Sequence, residues 1–258
     1  PKWIIRDYRE IKKNDPSRPV IVNLGQGVAW QDYNGRGERT GHLEDYPEYI
    51  KGCDIVSYDI YPAVHSAAAI QGNLWYQALG VSRLTGWAAD KPAWNCLECT
   101  RIGNPSVKPT PHQIRAEAWM AIVHGSRGFI WFVHQFKPTF IEAGLLADPE
   151  ILAAVTEING QVTSLAPVIN SPTIKDGVAV LSAEEYTPVH AIAKQYDGAT
   201  YVFSVAMYRR DTTASFTVKG LGPVAVAEVI GEERTIEVEN GQFTDVFGGY
   251  DVHLYRVR

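Results

Sequence analysis

The chain has 258 residues, 45% of them hydrophobic and 21% charged, with a formal net charge of −5. That length holds one large domain or a medium domain plus a small one, in an ordinary globular composition. The acidic balance argues against nucleic acid or an anionic membrane as main partner, and no apolar run reaches the roughly 20 residues needed to span a bilayer.

Taken in order, residues 1–168 alternate β-rich runs with helical spacing. Ile4, Ile5, Tyr8 and Ile11 predict an opening helix over 3–13, stopped by "NDPSRP". "VIVNLG" (20–25) reads as a buried strand and leads into a Gly-rich loop, with a short helix expected at 43–51. "CDIVSYDIYP" (53–62) is the second strand, and a helix is predicted over 66–84. "PAWNCLEC" (92–99) is the third strand. A helix follows, opened by Thr110 and Pro111 and closed near Gly125. "RGFIWFVHQF" (127–136) is the fourth strand, and Asp148 and Pro149 open a last helix. Four nearly continuous apolar strands, each preceding a helix, predict a parallel sheet covered by helices. A (β/α)-barrel takes eight such units in about 250 residues, so this is half of one.

From about Ser171 the texture changes to short strand-like runs split by Gly, Asp and Asn. They predict an antiparallel β-sandwich of roughly eight strands over 172–258, with the boundary at "INSPTIKDG". This tail has no Trp and no converging acids, and reads as support for the first domain.

Parallel α/β sheets place ligands at the carboxyl ends of their strands. Asn23 and Gln26 follow strand one, with Trp30 in the loop beyond. Asp59 and Tyr61 end strand two, Glu98 ends strand three, and Trp131, His134 and Gln135 end strand four. Glu98 stands out, because an unpaired carboxylate at the end of an apolar strand costs several kcal/mol or shifts its pKa. Two acids, aromatic faces and neutral donors at one mouth suit sugar hydrolysis. The chemistry calls for no cofactor. The "CLEC" spelling at 96–99 gives no metal site, since residues three apart in a strand point to opposite faces and no second Cys pair exists. Three cysteines, Cys53, Cys96 and Cys99, give no disulfide framework.

"DIVSYDIYP", "KPAWNCLECT" and "TPHQIRAEAWMAIVHGSRGFIWFVHQF" resemble the second half of a clan A retaining glycoside hydrolase barrel, closest in spelling to family 42 β-galactosidases. The resemblance implies Glu98 as nucleophile, Trp131 as sugar platform, and Tyr61, with Tyr58 behind it, as hydrogen-bond partner of the nucleophile. The family's acid/base is a Glu preceded by Asn, and this chain has no Asn-Glu pair. Asp59 is then the strand-end acid left to serve. The resemblance also implies that strands one to four precede Pro1, a residue that is not an initiator Met. No basic run followed by an apolar one is read at the start as a signal peptide, and the compartment is left open.

Three accounts follow: a fragment of a larger enzyme, a half-barrel that pairs with its own copy, or a catalytically degenerate sugar-binding or scaffold protein. A sugar-modifying enzyme of another class, such as a lyase, is a further alternative. The partners expected are a β-linked oligosaccharide or glycoside and, because an isolated half-barrel leaves two open sheet edges, a second copy or a missing N-terminal half.

Overall fold

The computed structural model describes residues 1–258. The chain divides into two compact units, one of Pro1–Pro109 with His124–Gly144 and the other of Thr110–Val123 with Leu145–Arg258. No helix is long and apolar enough to cross a membrane.

The first unit holds a four-stranded parallel sheet in the order β1 (Ile21–Asn23), β2 (Ile55–Asp59), β3 (Ala93–Glu98) and β4 (Gly128–Phe132). Its helices are α1 (Lys2–Asn14), α2 (Tyr46–Ile50) and α3 (Trp75–Ala88). Helix α1 is held by Asp54, which accepts from Tyr8 Oη at 2.6 Å and from Val20 N at 2.8 Å. The helix predicted over 66–84 starts nine residues later. Gly72 takes a left-handed φ of +75° and its N–H donates to the Pro62 carbonyl, so residues 66–74 turn instead of winding. The fourth strand is also shorter than expected. It ends at Phe132, and His134 and Gln135 lie in a loop that folds back through a bridge between Gln135 and Ile141.

Register assigns the two faces of this sheet. Tyr58, Asn95 and Phe129 are partners across neighbouring strands, so they share a face with Leu97 and Trp131, two residues along. Helix α3 packs on this face: Tyr58 Oη donates to the Gln77 carbonyl, Asn95 Nδ2 to Gln77 Oε1 at 3.3 Å, and Gln77 Nε2 to the Ile60 carbonyl at 2.7 Å. A Cβ on Gly80 would stand 2.2 Å from the Tyr58 ring, so glycine lets the helix approach this closely. The opposite face carries Ser57, Asp59, Cys96, Glu98, Ile130 and Phe132.

The second unit contains α4 (Pro111–Val123), α5 (Pro149–Ile169) and eight antiparallel strands. Thr110 and Gln113 form a reciprocal cap on α4, with Thr110 N donating to Gln113 Oε1 and Gln113 N to Thr110 Oγ1. Asp148 caps α5 by accepting from Ile151 N. The strands are β5 (Val178–Ser182), β6 (Val189–Tyr196), β7 (Ala199–Ala206), β8 (Thr212–Val218), β9 (Val224–Val229), β10 (Arg234–Glu239), β11 (Gln242–Phe247) and β12 (Val252–Val257). All eight join in one hydrogen-bonded order, β5-β8-β11-β10-β9-β12-β7-β6, where the expected sandwich would divide them between two sheets.

That sheet curls on itself. Tyr255 on β12 meets Phe216 on β8 at 5.5 Å and Phe243 on β11 at 4.9 Å, although β9 and β10 lie between β11 and β12 in the hydrogen-bonded order. Every residue of β7 is buried, because both of its faces are covered. Val202 and Ala206 enter the core of the curled sheet, while Phe203 packs on Trp119 of α4 at 5.2 Å. Trp119 also donates from Nε1 to Gln161 Oε1 of α5 at 3.0 Å.

Candidate active site

The C-terminal ends of the parallel strands build the site. Glu98 ends β3 and is wholly buried. Its Oε1 accepts from the Ala63 N–H at 2.6 Å and its Oε2 from the Val64 N–H at 3.0 Å. Two backbone donors on one carboxylate favour its ionised form and offset part of the cost of burial. Beside it, burial and the Glu98 charge push the Cys99 thiol up to about 12. Cys99 Sγ donates to the Phe132 carbonyl at 3.2 Å, so this thiol is a packing group.

Asp59 ends β2 on the same face of the sheet, partly exposed. Its Oδ1 accepts from Asn23 Nδ2 at 2.8 Å, and its other oxygen makes no hydrogen bond. Burial, with Asp59 adding to it, pushes the neighbouring Cys96 thiol up to about 11. Tyr61 lies beyond Asp59, its phenol held protonated first by burial and then by the Asp59 charge, and its ring is 5.2 Å from Phe132. Asp59, Tyr61, Gln26, Val64, His65 and Asn104 are among the residues lining a cleft of about 260 Å³.

His65 escaped the sequence reading although it follows the second strand by only a few residues. Its Nδ1 accepts from the Ala67 N–H at 3.0 Å, so Nε2 carries the proton and donates to Gln26 Oε1 at 2.9 Å. Burial lowers its pKa, which keeps the ring neutral at pH 7. Trp30 stacks edge-on to His65 at 5.4 Å and reaches the cleft region through that contact.

Several expected residues do not join this group. Tyr58 is wholly buried on the α3 face, bound to Gln77, and Glu98 lies on the other face of the sheet. Trp131 shares that face with Phe129, whose ring it meets at 5.4 Å. The aromatic on the Glu98 face is Phe132, its register partner, one residue further along β4. A single step in a strand exchanges faces, and an apolar run such as "GFIWFV" does not announce which alternate residues point which way. His134 packs on Phe132 at 5.8 Å and its Nδ1 donates to the Glu142 carbonyl. The Gln135 amide is spent on the Thr139 carbonyl within its own loop. Nowhere do three or more His, Cys, Asp or Glu side chains gather as metal ligands.

No protein-family model matches the chain, and no curated protein matches it. Solved structures do. A family 42 exo-carrageenase from Bacteroides ovatus superposes with a TM-score of 0.64 at 12% identity, over 98% of this chain and 55% of that one. An α-amylase from Geobacillus thermoleovorans, complexed with acarbose, gives 0.57 at 13% identity, over 100% of this chain and 57% of the other. A noncanonic maltogenic α-amylase from Thermotoga neapolitana gives 0.56 at 9%, over 98% and 58%. The likeness at these identities is one of fold, and this chain spans little more than half the length of each.

Proposed function

We propose that the chain bears half of a glycoside hydrolase site that cleaves β-glycosidic bonds with retention. In this reading residues 1–168 are the (β/α)4 half of a barrel and 172–258 its all-β companion, a division by chain order that differs from the packing of α4 and α5 with the antiparallel sheet. Glu98 is the nucleophile. One of its oxygens bonds the anomeric carbon as the glycosidic C–O bond breaks, and the leaving oxygen takes a proton from a second carboxyl group. Water then reverses these steps, releasing the sugar and restoring Glu98. Asp59, from the same or a paired subunit, is the acid with an open oxygen toward the cleft. The observation that carries the proposal is Glu98 itself, a buried carboxylate at a parallel strand's end whose two donors favour the charged, nucleophilic form. Phe132 and Tyr61 supply the aromatic surface next to it, and Gln26, Asn23 and His65 the hydroxyl-reading groups.

A panel of aryl β- and α-glycosides tests this. Turnover is expected on a β-galactoside or β-glucoside, above that of Glu98→Gln. Phe132→Ala is expected to raise KM about tenfold, the scale of one lost aromatic contact, while Trp131→Ala leaves KM unchanged. Turnover confined to α-maltosides would overturn the β assignment, and none above Glu98→Gln would overturn hydrolysis. The rival reading, a sugar-binding protein in which Glu98 merely ties a loop, is favoured by the engagement of both its oxygens.

The assembly belongs to the same proposal. Strands β1 and β4 are the edges of the parallel sheet, and exposed Ile21 and Ile130 lie on them. Neither edge carries the proline or inward charge that guards natural edges. Two copies about a two-fold axis, pairing β4 of one with β1 of the other, would close eight strands around two Glu98 and two Asp59 side chains. Sedimentation at micromolar concentration is expected to return twice the chain mass, and a monodisperse monomer would remove this assembly.

A further inference from the structure

We propose that residues 62–66 form a latch over Glu98, which must open before a sugar reaches the carboxylate, with Asn104 as the positioning residue that sets how readily it opens. The inference rests on the reading of Glu98 as nucleophile and adds a gate to it. Both Glu98 oxygens are occupied by the Ala63 and Val64 N–H groups, and the side chain has no exposed surface. Attack on an anomeric carbon needs an oxygen within about 3–3.5 Å of it. The closed arrangement blocks that, so the segment has to move.

Val64 is the residue that stands between. Its N–H binds Glu98, it lines the cleft that Asp59 and Tyr61 share, and Glu98 is not part of that lining. Lifting Val64 would join the carboxylate to the cleft.

The latch is held from three sides. The Pro62 carbonyl accepts from the Gly72 N–H at 2.7 Å and anchors its start. His65 ties its end to Gln26. Its centre is held by Asn104, whose Nδ2 donates to the Val64 carbonyl at 3.0 Å. The orientation of that amide is determined, because Asn104 Oδ1 accepts from both Ser106 N and Val107 N, at 2.9 and 3.0 Å. The Val64 residue is thus gripped on both sides, its N–H by Glu98 at the end of β3 and its carbonyl by the loop that follows.

Asn104→Asp separates the parts. The carboxylate keeps the acceptors for Ser106 and Val107 but sets an oxygen against the Val64 carbonyl. Asn104→Ala removes the contact without repulsion. Amide exchange of Ala63 and Val64 is expected to speed up about tenfold in both variants, while Val56 and Leu97 in the strands keep their rates. Labelling of Glu98 by an activated aryl β-galactoside or β-glucoside, with fluorine in place of the hydroxyl beside the anomeric carbon, is expected to speed up in parallel. Unchanged exchange at Ala63 and Val64 would overturn the latch. Faster exchange with an unchanged labelling rate would overturn its role as a gate. Faster exchange with no label on Glu98 in any form, wild type included, would leave the latch standing and remove the nucleophile reading beneath it.

Discussion

Glu98→Ala is expected to lose turnover of an aryl β-glycoside by on the order of 10⁴-fold or more, and to recover part of it when azide is added. The reasoning is chemical. Removing a nucleophile leaves a gap at the anomeric carbon, and a small anion fills it on the face Glu98 would have used. The product is a glycosyl azide whose anomeric configuration is inverted relative to the substrate. A residue that only positions a loop gives no such product. The variant also carries a structural cost, because the Ala63 and Val64 N–H groups lose their acceptor in a buried place, at about 1–3 kcal/mol each. Glu98→Gln limits that cost to part of it, since the amide oxygen still accepts from one N–H while its NH₂ group faces the other. Parallel thermal unfolding of the two variants therefore separates damage to the fold from damage to the chemistry. Loss of activity without azide rescue in a folded Glu98→Ala protein would count against covalent catalysis by this residue.

Asp245→Ala is expected to destabilise the antiparallel unit by about 1–3 kcal/mol, because it leaves the buried Tyr255 hydroxyl without its acceptor and removes one of the two carboxylates that Arg234 binds. Asp245 on β11 accepts from Arg234 twice, at 2.9 and 2.8 Å, and from Tyr255 Oη at 2.9 Å. Arg234 also donates to Glu232, whose other oxygen meets His253 Nδ1. Burial pushes the Asp245 carboxyl up, but Arg234, Tyr255 and the Val246 N–H outweigh it and hold it below the usual carboxylate range. A carboxyl depressed by folding contributes stability above its unfolded pKa of about 3.9 and loses it as pH falls through the lower folded value. Calorimetry at pH 7 should show the gap between wild type and variant in full, and the gap should shrink below about pH 4. A gap under about 1 kcal/mol at pH 7, or one that widens in acid, would refute the account.

Much of the architecture was legible in the sequence because it depends on local periodicity. Apolar runs bounded by turn residues place all four parallel strands, and Thr110-Pro111 and Asp148-Pro149 mark two helix starts to within a residue. The rule that ligands gather at strand ends also picked out Asp59, Tyr61 and Gln26, which line one cleft, Asn23, which binds Asp59, and Glu98, which lies behind Val64 of the cleft wall. It would have reached His65 too, had it been followed past Pro62.

By itself the amino-acid sequence determined where the strands lie, where the helices opened by Thr110 and Asp148 begin, and that an isolated acid ends the third strand. Those are consequences of side-chain period and turn chemistry, which act within a few residues. Only the tertiary structure decided which face each strand residue occupies, because register between strands is a long-range matter. Register sends Tyr58 and Trp131 to the helix face and brings Phe132 to Glu98. It likewise decided that the eight late strands make one curled sheet, through contacts such as Phe216 with Tyr255. The partners of Glu98 lay furthest from view. They are the backbone N–H groups of Ala63 and Val64, more than thirty residues away, and a donor that every residue but proline carries leaves no mark in a sequence.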